Sequence, residues 1–351
     1  MLPLVKYVLK RGSILFVAVI IAVYITVLIA NMGGYVDEIV KGELYLQVSQ
    51  GIRQNPAYRG LNETVVSGLI NATYHNELKR LGFDKPFIYR SFTYLSNALS
   101  LSLGRALFIS SNSGSKSVYV IIAERLPNTV LLFTTTQLCL FFIGLFTGLI
   151  LSRRYGSLAD KLSVLLAPLS SLPGWFYGIF LILIFASLFR LLPYGGMLDV
   201  PPPADALGYS LSVLKHMVLP VLSWLIAYSF IEVYVRRTFF LMFSSEDYVE
   251  FAKAKGLPEG LILRRYVLRP TLPPIVTDFS LRLIASWLGA IVTETVFNWP
   301  GIGSLFYDAS MLFDTPVLVG LVTIYAYLLA LTVLVLEFVY AILDPRIRVG
   351  A

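Results

Sequence analysis

Six stretches of the chain are each long and apolar enough to cross a bilayer: residues 12–32, 128–151, 163–189, 213–235, 275–297 and 317–343. A hydrocarbon core of ~30 Å needs about 20 such residues in a helix. Inside it, only helices and closed barrels satisfy every backbone N–H and C=O. The pattern therefore predicts an all-α integral membrane protein with six transmembrane helices. The first stretch follows Lys6, Lys10 and Arg11, but its apolar core is longer than that of a signal peptide, so it reads as a retained anchor. Of the 351 residues, 57% are hydrophobic and 14% charged, too little charge for a soluble domain.

The net charge of +7 raises the question of nucleic acid, and its distribution answers it. Basic residues collect at Lys6, Lys10 and Arg11, at Arg153, Arg154 and Lys161, along 236–274, and at Arg346 and Arg348. Loops 192–212 and 298–316 hold none. Short Lys/Arg-rich loops stay cytoplasmic, so both termini and the 236–274 loop are predicted inside, in a plasma or inner membrane. The basic residues then face anionic lipid headgroups, not nucleic acid. This divides the chain into a cytoplasmic start and first helix (1–32), an extracytoplasmic lobe (33–122), a five-helix membrane core (123–343) and a cytoplasmic tail (344–351). Cys139 is the single cysteine, and His75 and His216 form no ligand pattern, so no metal site is expected.

Within the lobe, helical spacing is predicted near 37–52 and 62–81, broken at Asn55-Pro56. Asn62-Glu63-Thr64 and Asn71-Ala72-Thr73 are acceptor tripeptides for N-glycosylation. Residues 92–110 are apolar but carry Arg105, which points to an interfacial helix instead of a seventh span. Pro127 is placed at the start of the second span, with Glu124 near its positive end. Pro168, Pro173 and Gly174 interrupt the third span. Broken helix geometry survives in a membrane where protein or a water-filled cavity satisfies the freed backbone, so a translocation path and ordinary kinked packing are the two readings. Glu232 precedes Arg236 by four residues, and Asp278 precedes Arg282 by four. Such pairs neutralise each other locally, although intramembrane charges also mark pathways, which keeps Asp278, Arg282 and the nearby Glu294 as gate candidates. Trp299 fits an interfacial belt, and Pro300-Gly301 a turn.

The stretch Ser244–Pro274 is the one long charged segment between two spans. Ser244 and Asp247 have cap spacing, and Tyr248, Phe251 and Ala252 fall on one helical face. Gly256 suits a left-handed helix end, Pro258 the next first turn, and Pro270 with Pro273-Pro274 a stop.

Glu250-Phe251-Ala252 with Gly256 resembles the EAA loop of membrane subunits in binding-protein-dependent ABC importers, with Phe251 where the motif's name has alanine. Asp247-Tyr248-Val249 and Ala252–Leu257 look like the dipeptide/oligopeptide branch, as do Glu124–Thr129, Leu192–Gly196, Glu294–Gly303 and Leu343–Arg348. The resemblance implies a translocation subunit that couples through Asp247, Tyr248, Glu250, Phe251, Ala252, Lys253 and Gly256 to separate cytoplasmic ATPases. It further implies two ATPases binding ATP and Mg, a second permease subunit and an extracytoplasmic solute-binding protein. The chain itself has no phosphate-binding loop, catalytic constellation or cofactor fingerprint, so it is not read as an enzyme. Within the branch, cargo is a peptide, an oligosaccharide or a nickel complex. Outside it stand a secondary transporter or channel, and a membrane scaffold.

Overall fold

The computed structural model describes residues 2–31, 34–58, 60–287 and 291–343. Helices α1 (Leu2–Asn31), α2 (Tyr35–Gln54), α3 (Glu63–Arg80) and α4 (Phe87–Leu99) precede the long α5 (Val118–Arg153). A broken run follows: α6 (Leu158–Leu166), a 3₁₀ turn (Ala167–Ser171), α7 (Gly174–Leu181) and a π-wound end (Ile182–Leu188). Next come α8 (Ala206–Ser244), α9 (Asp247–Ala254), α10 (Glu259–Leu261), a π-wound turn (Ile262–Leu268) and α11 (Arg269–Ser286). Then follow α12 (Ile291–Val296), α13 (Ile302–Met311) and α14 (Thr315–Leu343). Among the described residues there is no strand, only one antiparallel bridge between Arg105 and Ser117.

Among the described residues, four helices are long and apolar enough to span a membrane: α1 from Leu9, α5, α8, and α14 as far as Val335. The run from Leu158 to Leu188 makes a fifth if its 93° bend lies within one span. Of the predicted span at 275–297, α11 covers the part up to Ser286 and α12 the part Ile291–Val296, while 288–290 lie outside the described residues. The predicted tail, 344–351, also lies outside them.

The chain forms two compact units, Met1–Glu124 with Asp308–Ala351, and Arg125–Tyr307. In the first, Val19, Val23 and Val27 of α1 pack with Ala98 and Ala326, burying one stripe of an otherwise apolar helix. Tyr24 stacks on Phe92 at 5.4 Å and its hydroxyl meets Ser91 at 3.3 Å, which fixes α4 against α1. The α2–α3 pair closes over Ile52, Val66 and Ile70, and Asn62 caps α3 by accepting from the Thr64 N–H. Arg90 of α4 grips both oxygens of Asp37 at 3.0 and 2.5 Å. That hydrogen-bonded carboxylate holds the Arg90 pKa above its ordinary value.

Two local expectations are corrected here. The apolar segment at 92–110 is not one interfacial helix: α4 starts at Phe87 and stops at Leu99, where Leu101 turns left-handed (φ 57°). Nor does Pro127 start the second span. α5 begins at Val118 because Val118, Ile121 and Ile122 recur at helical spacing and are fully buried, and this packing outweighs the hydrogen bond lost at the proline.

Asp314 is the buried anchor of this unit. Its carboxylate accepts the N–H groups of Leu107, Phe108 and Ile109 at 3.1, 2.8 and 3.0 Å. Asp314→Ala leaves three donors without partners, a loss of about 3 kcal/mol or roughly a hundredfold. Hydrogen exchange at amides 107–109 should accelerate by about that factor. Unchanged protection would show that the carboxylate contributes nothing.

Candidate functional site

The second unit carries the segment on which the sequence concentrates its charge. α8 runs up to and includes the expected cap Ser244, whose hydroxyl bonds back to the Phe240 carbonyl at 2.7 Å; Glu246 is the N-cap of α9, without a side-chain cap bond. Ser244 is a helix end because Phe240 and Phe243 continue the apolar face of α8 to that point. α9 closes with a Schellman turn: Leu257 N–H reaches the Ala252 carbonyl, Gly256 N–H reaches Lys253, and Gly256 has φ 73°. A side chain at Gly256 would strain that turn.

α9 has two faces. Val249 and Ala252 are buried against Phe240, Ile262, Val267 and Ile275, so Ala252 turns inward and does not share the outer face with Tyr248 and Phe251. Tyr248 is 40% exposed and Phe251 62%, between exposed Asp247, Glu250 and Lys253. The Lys255 ammonium sits 4.4 Å from the Phe251 ring centre, a cation–π contact that braces the ring from outside. Val249 is a residue sequence reasoning passed over; a lone apolar position among charges gives little signal. The prolines do not stop the next helix either. Pro270 falls in the first turn of α11 and Pro273-Pro274 in its second, while Arg269 and Pro270, whose carbonyls lose their donors, are exposed to other partners.

Behind this platform, four charges join α8 to α11. The local pairs expected from spacing form, Glu232 with Arg236 at 3.6 Å and Asp278 with Arg282 at 2.8 Å. The stronger links cross between helices: Arg236 donates to Asp278 at 2.6 Å, and Arg282 donates to Glu232. The ring is neutral in sum, which lets Arg236 and Glu232 be buried. α5 closes over it with Gly148, where a Cβ would come within 2.8 Å of the Arg236 side chain. The next residue, Arg237, reaches α6 instead, pairing with both oxygens of buried Asp160 at 2.6 and 2.7 Å. Cross-helix pairing cannot be read from a single chain's spacing, so this geometry was not foreseen.

Glu294 lies elsewhere in the unit. It is fully buried and accepts from the Thr129 hydroxyl at 2.7 Å and the Ser304 N–H at 2.9 Å. Thr129 in turn receives the Ile302 N–H at 2.7 Å. Trp299 is also fully enclosed, against Leu132, Phe133, Val213 and Met217, with its indole N–H on the Asn128 carbonyl at 3.0 Å. It is therefore a core residue and not part of an interfacial belt: the turn at Pro300-Gly301 folds it back into the unit. The Leu192–Gly196 turn joins the same corner, its Gly196 N–H donating to the Phe297 carbonyl at 2.8 Å. Glu294 meets α5 at Thr129 and the ring meets it at Gly144 and Gly148, so the gate candidates occupy two levels roughly 22 Å apart at 1.5 Å per residue.

Of the remaining candidates, Pro168 lies in the 3₁₀ turn, Pro173 caps α7 and Gly174 is its buried first residue, all at the 93° bend. Asn62 is the α3 cap and Asn71 is exposed within that helix. The ring yields a test. Arg236→Gln and Asp278→Asn should each destabilise the protein by about 3 kcal/mol, and the double variant by about 2 kcal/mol less than their sum. Denaturant unfolding in detergent measures this cycle; strict additivity would show that the two charges do not act together.

The sequence as a whole is similar to those of known proteins. A di/tripeptide transport system permease protein of Pseudomonas aeruginosa is 31% identical over 77% of this chain and 84% of its own length. A probable D,D-dipeptide transport system permease protein of Escherichia coli is 28% identical over 80% of the chain and 86% of its own length. An oligopeptide transport system permease protein of Bacillus subtilis is 27% identical, over 77% and 84%. Residues 141–349, which include α9 and the charge ring, match the family described as binding-protein-dependent transport system inner membrane components. The chain is a membrane protein of that family.

Proposed function

We propose that this chain is the translocation-pathway subunit of an ATP-driven importer of short peptides, working with a second permease subunit, two cytoplasmic ATPases and an extracytoplasmic solute-binding protein. Six membrane crossings, with both termini inside, are part of this reading: the bent α6–α7 run supplies one and the α11–α12 run another. The observation that carries it is the two-faced α9, exposed aromatics and charges outside and a buried core inside. Tyr248 and Phe251 offer a groove on an ATPase two apolar anchors, while Asp247, Glu250 and Lys253 set orientation through charged hydrogen bonds.

Movement imposed on α9 passes through Val249 and Ala252 to α8 and α11, and the ring keeps those helices in step. The partners would bias two states by contacting them differently, and the helices would move as rigid bodies between them. The peptide cargo rests on what the related permeases are named for. ATP and Mg would bind the partner ATPases. The acceptor tripeptides at Asn62 and Asn71 remain modification candidates on the extracytoplasmic side, testable by glycopeptide mass spectrometry.

Glu250→Lys reverses a charge on the outer face, and Gly256→Pro forces a negative φ where the turn needs a positive one. Both should abolish peptide uptake and co-purification of the ATPase while leaving membrane insertion intact. Normal transport in both variants would sink the coupling assignment. Uptake of an oligosaccharide or a nickel complex in place of peptide would correct the cargo and leave the coupling in force.

A further inference from the structure

A cavity of about 660 Å³ opens in the first unit, where the lobe meets α1 and α14. Its volume falls in the range of ligand sites. Its apolar floor is formed by the partly exposed Leu44, Leu103 and Val319, with Val27 and Ala98 buried beneath it in the core between α1 and α4. Val319 belongs to the stretch of α14 that is long and apolar enough to span a membrane, close to its Thr315 end. In a bilayer crossed by α14, Val319 would bring the floor within reach of acyl chains. The adjoining α4 supports that level: Phe92, stacked on Tyr24 of α1, is exposed with Ile88 and Tyr89 on the same helix.

The rim carries four charges that matter. Asp37 is occupied by Arg90, and Glu43 pairs with Lys116 at 3.5 Å. Lys116 also donates to the Leu107 carbonyl at 2.7 Å. Arg105 lines the cavity and makes no ion pair or side-chain hydrogen bond among the described residues. The acids are therefore neutralised within the lobe, and one cation is left over an apolar slot at membrane level.

We infer that this cavity binds one anionic phospholipid of the bilayer, its acyl chain on the Leu103–Val319 floor and its phosphate on Arg105. The site depends on the membrane location and not on how α9 engages an ATPase. A basic residue near a bilayer surface favours an anionic lipid by about fivefold over a zwitterionic one.

The test is native mass spectrometry of the delipidated full chain in detergent, titrated with dioleoylphosphatidylglycerol, dioleoylphosphatidylcholine or oleate. The wild type should retain one phosphatidylglycerol, with about a fivefold preference over phosphatidylcholine. Arg105→Gln should bring that preference to parity. Val40→Phe, which narrows the cavity without touching a charge, should weaken retention of both phospholipids. Circular dichroism checks that each variant keeps its helices. Equal retention of the two phospholipids by the wild type, or an unchanged preference in Arg105→Gln, overturns the site. Oleate held as tightly as phosphatidylglycerol overturns the phospholipid assignment.

Discussion

Arg236 is enclosed between α5, α8 and α11, and a buried guanidinium is tolerable only with its charge matched. Two carboxylates, Asp278 and Glu232, provide the match, and Arg282 balances the second of them. The consequence is mechanical. Separating α8 from α11 would break both crossing bonds and leave each helix only its own i,i+4 pair, so the two helices favour moving together. Gly144 and Gly148 let α5 approach closely enough to hold the ring, where any larger residue would push α5 away from α8. One residue further on, the Arg237–Asp160 pair extends the linkage to α6 and hence to the bent run. A neutral, interlocked set of charges thus does within the membrane unit what apolar packing alone does poorly: it fixes which helices share a motion.

The platform at α9 depends on that linkage. An eight-residue helix has little stability of its own. α9 holds its place because Val249 and Ala252 are buried on α8 and α11 and because the Gly256 turn satisfies its last carbonyls. Its outer aromatics are left free for a partner. A helix so short, held by its inner face and its end, passes a push to its neighbours instead of unwinding.

Much of this was legible in sequence where the signal was local. The lobe helices expected near 37–52 and 62–81 occur as α2 and α3, since their start and stop signals, Asn62 among them, act within a few residues. Gly256 was placed correctly in a left-handed turn for the same reason. What failed depended on the rest of the fold. Pro127 looked like a helix start until Val118 and Ile122 found buried neighbours upstream. Trp299 looked interfacial until the turn at Pro300 returned it to the core. The i,i+4 charge pairs were visible, but their crossed partners lie 42 and 50 residues apart and leave no spacing pattern. Ala252 was assigned outward because periodicity defines a stripe and not which neighbour covers it.

The distribution of candidate residues over two levels has a physical reading. At one, Glu294 ties the start of α5 to the turn before α13 through Thr129 and Ser304, with neutral partners and no ion pair. At the other, the ring ties α5 to α8 and α11 with full charges. α5 is a single continuous helix between them, so a displacement at the ring arrives at the Glu294 corner as a tilt instead of being absorbed locally. The corner is tied by hydrogen bonds to neutral donors, to which Asn128 adds by donating to the Pro300 carbonyl and accepting the Trp299 indole N–H, whereas the ring is tied by pairs of full charges. On the proposed transport reading, the ring would keep α8 and α11 together and α5 would carry their motion to the Glu294 corner.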